Sequence, residues 1–134
     1  MKLHVSMKVE DLVAAREFYT QLFNQQPSIE RNGYIKWDVS DPAVNFVVEE
    51  GAGEPGLDHL GIQVENQDQL GDVASRMQQS GQPYLDIEDA QCCYAKMEKA
   101  WVKGMTGEKW ETFLTHSHDL TEYGEDREQL LDEM

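Results

Sequence analysis

The sequence predicts an α+β fold in which one chain carries two βαβββ modules. Three observations lead there. His4-x4-Val9-Glu10 returns as His59-x4-Val64-Glu65 at the same spacing, 55 residues further on. Each copy opens on apolar–polar alternation, the period of a half-buried strand, and then passes into helical spacing. Between the copies, Gly51–Ala52–Gly53–Glu54–Pro55–Gly56 has the composition of a connector.

In the first copy Leu3, Val5, Met7 and Val9 fall on one strand face, with His4, Ser6 and Lys8 on the other. Asp11 reads as an N-cap, and Leu12, Ala15, Tyr19, Leu22 and Phe23 follow at helical spacing. Strand-like runs come next at Ser28 to Glu30, Tyr34 to Val39 and Val44 to Glu50. Arg31–Asn32–Gly33 and Asp41–Pro42 are the turns between them. The second copy repeats the plan. Leu60, Ile62 and Val64 share one face, and His59, Gly61, Gln63 and Glu65 the other. Leu70, Val73, Ala74 and Met77 then follow Asn66 at helical spacing, and Gly81 and Pro83 stop that helix. Strands are predicted at Tyr84 to Ile87, Tyr94 to Val102 and Lys109 to Thr115, with a turn over Gly104 to Gly107. The polar run Asp86 to Gln91 reads as a loop.

Neither module covers its own sheet, so the two are expected to share one core as a single domain, 1–118. Module one is 1–50, the connector 51–56 and module two 57–118. If each apolar strand face packs on its helix, the polar faces turn toward a shared concavity. Residues 119–134 carry seven carboxylates against Arg127 alone, and are expected to form an acidic C-terminal tail or a loosely docked helix.

Composition narrows the function. The 134 residues hold 11 Lys and Arg against 26 Asp and Glu, a formal net charge of −15. Such a field repels phosphates, which argues against nucleic acid and anionic membrane surfaces as partners. No apolar run approaches the length of a bilayer span, and Glu10 and Asp11 come too early for a signal core. A cytoplasmic protein is the expectation.

The only cysteines, Cys92 and Cys93, are neighbours, so no disulfide framework staples the fold. In a reducing compartment both are thiols. They are either two small hydrophobes or a pair of soft sulfur donors for a thiophilic centre. Neighbouring side chains of a regular strand point to opposite faces, so both sulfurs reach one atom only if the backbone turns or bulges there.

His4 and His59 occupy matched positions of the repeat. On the last strand Glu111 and Phe113 share a face opposite Trp110, Thr112 and Leu114. If Glu111 faces inward, two imidazoles and one carboxylate converge, a set that suits octahedral Fe(II) with open positions. Otherwise Glu111 is an exposed strand carboxylate. Mn(II), Ni(II), Co(II) or Zn(II) suit the same ligand types. Asn45, Glu49 and Glu50 are candidates for a fourth ligand, a feature that would favour a glyoxalase-type isomerase. His116 and His118 form an H-x-H pair at the strand end, expected to be solvated.

These paired modules resemble the vicinal oxygen chelate superfamily of glyoxalases, bleomycin-resistance proteins and extradiol dioxygenases, over about residues 1–116. More narrowly, Gly56-Leu57-Asp58-His59-Leu60-Gly61-Ile62-Gln63-Val64-Glu65, Cys92-Cys93-Tyr94-Ala95, Lys99-Ala100-Trp101-Val102 and Trp110-Glu111-Thr112-Phe113 resemble the organoarsenical C–As lyases and cadmium-induced proteins. Phe18-Tyr19, Lys36-Trp37 and Asp41-Pro42 with Val44-Asn45-Phe46 fit as well. The resemblance implies an incomplete-barrel cavity shared by the modules. It implies Fe(II) held by His4, His59 and Glu111, and a trivalent organoarsenical held by Cys92 and Cys93. Dioxygen-dependent cleavage of the carbon–arsenic bond would release arsenite, the chemistry of arsenic resistance. Tyr94 is either a substrate contact or a core aromatic. Lys96 and Lys99 are candidates for lowering the thiol pKa. The turn before the last strand, Gly104-Met105, departs from the Asp-Pro usual in the superfamily. A different metalloenzyme of the superfamily, or a non-catalytic binder of thiophilic metals or toxins, are the alternative readings. Two modules in one chain can complete one site, so a monomer would suffice, while the resemblance also allows a homodimer because members of the superfamily often dimerise.

Overall fold

The computed structural model describes residues 1–92, 95–117 and 127–134, without the side chains of Gln91, Cys92, Ala95 and Ser117. The chain forms two compact units, Lys2–Leu60 and Gly61–Met134, with Met1 counted in the second.

The N-terminal unit contains β1 (Lys2–Val9), α1 (Leu12–Phe23), β2 (Ile29–Arg31), β3 (Tyr34–Ser40), β4 (Ala43–Glu50) and the first half of β5 (Gly56–Gln63). Its strands run in the order β2-β3-β4-β1. β2, β3 and β4 pair antiparallel, and β4 lies parallel to β1 with His4 opposite Asn45. Asp11 caps α1 by accepting a bond from the Ala14 amide at 3.0 Å. Asn24 ends the helix with φ 50°, a left-handed position that asparagine tolerates. The core joins Ala15, Ile35, Trp37, Val39, Val44, Phe46 and Val48, with Val5, Met7, Leu12, Tyr19 and Phe23 packed against it. Leu22, expected on the buried face, is 61% exposed. The packed stripe runs through Leu12, Ala15, Tyr19 and Phe23, and Leu22 sits a full 100° step from Phe23, on the flank.

The C-terminal unit contains the rest of β5, α2 (Gln67–Gln79), β6 (Tyr84–Cys92), β7 (Ala95–Lys103), β8 (Lys109–Ser117) and a 3-10 turn, Glu128–Glu133. Its strand order is β8-β7-β6, all antiparallel. Asn66 caps α2 through the Gln69 amide at 2.9 Å. Val64, Leu70, Val73, Ala74, Met77 and Ala100 form the core. The expected loop over Asp86–Gln91 is instead part of β6. An edge strand needs one partner only, and β7 supplies the ladder while polar side chains remain acceptable at the edge. The irregularity is local. Register slips between Leu85 and Glu88, where three steps on β6 face two on β7, which is a β-bulge.

Arg127–Met134 is docked on this unit: Leu131 is fully buried and Asp132 pairs with Lys109 at 2.9 Å. Among the described residues no helix is long and apolar enough to cross a membrane.

Candidate metal centre

β1 and β5 each deliver one histidine, and both belong to the N-terminal unit. His4 and His59 are 6% and 8% exposed, with Nε2 atoms 3.1 Å apart. Their outer nitrogens decide what those inner nitrogens are. Nδ1 of His59 lies 2.7 Å from the Asp58 carboxylate, an acceptor only. Nδ1 of His4 lies 3.1 Å from the Asn45 carbonyl and 3.2 Å from its Oδ1. Both Nδ1 atoms therefore donate, so with both rings neutral the two Nε2 atoms present lone pairs to one another. Two such lone pairs at 3.1 Å repel unless a cation, a proton or a metal ion, lies between them. Two donors about 2.1 Å from one ion at a right angle are separated by about 3 Å, the edge of an octahedral site. The donor set thus fits a divalent metal.

The support of each ring follows from strand pairing. Register sets His4 opposite Asn45 on β4, so the side chain of Asn45 meets the outer nitrogen of His4. Glu49, also on β4, is taken up by Lys8 at 3.4 Å. Asp58 is the immediate neighbour of His59 and reaches around its own strand. The adjacency was visible in the sequence as Asp58-His59, but alternation alone assigns the two to opposite faces.

In the C-terminal unit Glu111 is 3% exposed, and the Lys99 ammonium bonds its Oε2 at 3.0 Å. Lys99 is itself 2% exposed and lies over the rings of Trp101 and Phe113, at 5.5 and 5.8 Å. The buried ammonium orients the carboxylate and is sheltered by two aromatic faces. Lys99, named from the sequence as a candidate for lowering the thiol pKa, has its ammonium on Glu111. Next to Glu111, the Thr112 hydroxyl donates to the Ile62 carbonyl at 3.0 Å and ties β8 to β5.

Cys92 closes β6 opposite Ala95. Its side chain, and Cys93 and Tyr94 entirely, lie outside the described residues. His116 is exposed and bonds Glu98 at 2.8 Å, whereas His118 lies outside the described residues. That contact and a bond from Gln67 hold the Glu98 carboxyl below its usual range, Gln67 contributing most.

The fold is that of the vicinal oxygen chelate superfamily. A glyoxalase/bleomycin resistance/dioxygenase superfamily member from Vibrio splendidus superposes with a TM-score of 0.58, over 86% of this chain and 98% of that one, at 13% identity. An extradiol ring-cleaving dioxygenase from B. fuscum gives 0.62 at 19% identity, over 86% of this chain and 32% of that one. No family model matches the sequence. A trivalent organoarsenical cleaving enzyme of Thermomonospora curvata is 39% identical over 115 residues, 84% of this chain and 76% of that protein. The cadmium-induced protein CadI of Mycobacterium tuberculosis is 33% identical over 113 residues, 84% of this chain and 74% of that protein. The chain belongs to the family of these organoarsenical cleaving enzymes and cadmium-induced proteins.

Proposed function

We propose that this chain is an Fe(II)- and dioxygen-dependent C–As lyase that cleaves trivalent organoarsenicals and releases arsenite in the cytoplasm. The observation that carries the reading is the buried histidine pair, whose Nε2 lone pairs face each other at 3.1 Å with both Nδ1 atoms engaged as donors. The 39% identity to an enzyme of that name supports the choice of substrate.

In this reading His4, His59 and Glu111 hold the metal. Iron(II) in such a set supplies open coordination positions and the redox chemistry by which dioxygen reacts. The chain's own residues do the rest. Asp58 and Asn45 fix the ring tautomers, so that both imidazoles present a lone pair. Lys99 orients the Glu111 carboxylate. Cys92 and Cys93 bind arsenic(III) as thiolates, because a soft centre prefers sulfur while iron(II) prefers imidazole and carboxylate. One site thereby sorts a metal ion and a metalloid substrate by ligand softness, and its binding energy positions the bond to be cut.

The test is arsenite release from methylarsenite and from an aromatic analogue by Fe(II)-loaded protein, with and without oxygen. Oxygen-dependent arsenite that disappears in His59→Ala and in Cys92→Ser is the expected result. Stoichiometric arsenical binding through the cysteines with no turnover would make the protein a binder instead. Turnover that survives His59→Ala would remove the histidines from the chemistry.

A further inference from the structure

Arg127 is the single cation of the acidic segment 119–134, and nothing in the proposed chemistry uses it. Its side chain nevertheless packs into the C-terminal unit and is only 21% exposed. Nη2 donates to the Asp86 carbonyl at 2.8 Å and to the Lys99 carbonyl at 3.2 Å, while Nη1 meets the Glu88 carboxylate at 3.2 Å. These three acceptors surround the β-bulge. A bulge takes one residue out of the ladder, and here the slip lies between Leu85 and Glu88, across from Lys99. Arg127 supplies the Asp86 carbonyl with a donor where the ladder is interrupted, and binds the β7 backbone at the same point. Asp86 adds to the local order, accepting from the Tyr84 hydroxyl and the Ile87 amide, both at 2.8 Å.

The residue whose carbonyl Arg127 holds is the residue whose ammonium holds Glu111. We propose that Arg127 is a positioning residue: it pins β7 at Lys99 and thereby sets the orientation of the Glu111 carboxylate toward a metal. The proposal rests on the metal reading above. Only an arginine suits the place, because a planar fork of five donors reaches a carboxylate and two carbonyls at once, whereas an ammonium is a compact point charge. Leu131 and the Lys109–Asp132 pair anchor the turn that follows, so Arg127 is presented from a fixed base.

The experiment uses the full chain with Co(II) as the probe. Metal affinity and the visible absorption band are measured for the wild type, His59→Ala, Arg127→Met and Arg127→Lys, with hydrogen–deuterium exchange on the same samples. Arg127→Met keeps the apolar stem and loses the fork. It is expected to bind Co(II) about 10- to 100-fold more weakly, with a shifted band. Exchange should rise in peptides covering Tyr84–Cys92 and Ala95–Lys103 and not in α1. Arg127→Lys keeps stem and charge, folds even where Met does not, and must change affinity in the same direction. A wild-type affinity and band in the Arg127 variants overturns the proposal, even if melting temperature falls, because a merely structural clasp would leave the metal spectrum alone. If the wild-type band does not depend on His59, the metal reading has failed and the proposal falls with it. If the band depends on His59 but not on Arg127, the proposal falls alone.

Discussion

Lys99 and Glu111 are each almost entirely buried, and a charge in that position is tolerable only with its counter-charge. Replacing Glu111 by leucine strands the ammonium of Lys99 without that carboxylate, and is expected to cost about 3–5 kcal/mol in urea unfolding. The double variant Lys99→Met/Glu111→Leu removes both charges and should recover most of the loss. A double variant as unstable as the single one would locate the cost elsewhere. Tyr84 gives a separate signature. Burial, and then its bond to Asp86, push the Tyr84 hydroxyl up to about 12. The folded value lies above the unfolded one of about 10, so this contribution to stability is complete below about pH 10 and fades as pH rises toward 12. An ultraviolet titration should show a phenol step near pH 12 that Tyr84→Phe abolishes. Asp86 carries the opposite shift, held low by the Ile87 amide first and by Tyr84 second. Removing the Tyr84 hydroxyl should therefore let the Asp86 carboxyl rise.

The helices show what local sequence decides. Asp11 and Asn66 each accept a first-turn amide, so Asp11→Ala and Asn66→Ala should each cost about 1 kcal/mol. Leu70 of α2 is fully buried, whereas Leu22 of α1 is 61% exposed. Leu70→Ala is expected to cost about 2–5 kcal/mol, and Leu22→Ser to stay within about 0.5 kcal/mol, by thermal or urea unfolding. A large effect at Leu22 would mean that its face is covered in solution. These elements were legible because caps and periodicity are written within a dozen residues. β6 was not. Nothing in the polar run Asp86–Gln91 announces a strand, because what makes it one is the ladder offered by β7 and the bulge that absorbs the extra residue. The same holds for the supports of the site. Asn45 reaches His4 only through parallel strand register, and Arg127 reaches Lys99 only after the chain has returned to that strand pair.

For the whole molecule the dominant fact is a formal net charge of −15. Surface carboxylates repel one another over a Debye length of about 30 Å at 0.01 M salt and about 8 Å at 0.15 M. Melting temperature should therefore rise between those two conditions. A fall would show that exposed ion pairs such as Arg16–Glu30 and Lys2–Asp38 outweigh the repulsion. The order of elements in the repeat was readable in both copies, because equal spacing survives where side-chain identity does not. Glu111 was singled out through its place on the last strand, whereas Lys99 was named only within a motif and as a candidate neighbour of the thiols, never as the partner of Glu111. A buried ion pair depends on which side chains the fold encloses, and neither periodicity nor spacing records that.

The two histidines are copies of one position that have not kept the same upbringing. In the second copy Asp58 stands beside the imidazole; 55 residues earlier that place is held by Leu3, and the ring leans on Asn45 from another strand. An anionic acceptor makes His59 the richer electron donor, while a neutral amide and carbonyl leave His4 the poorer. Twin imidazoles with equal support would be interchangeable, and a guest could sit either way round at no cost. This unequal pair is not interchangeable, and gives an asymmetric guest a reason to prefer one orientation.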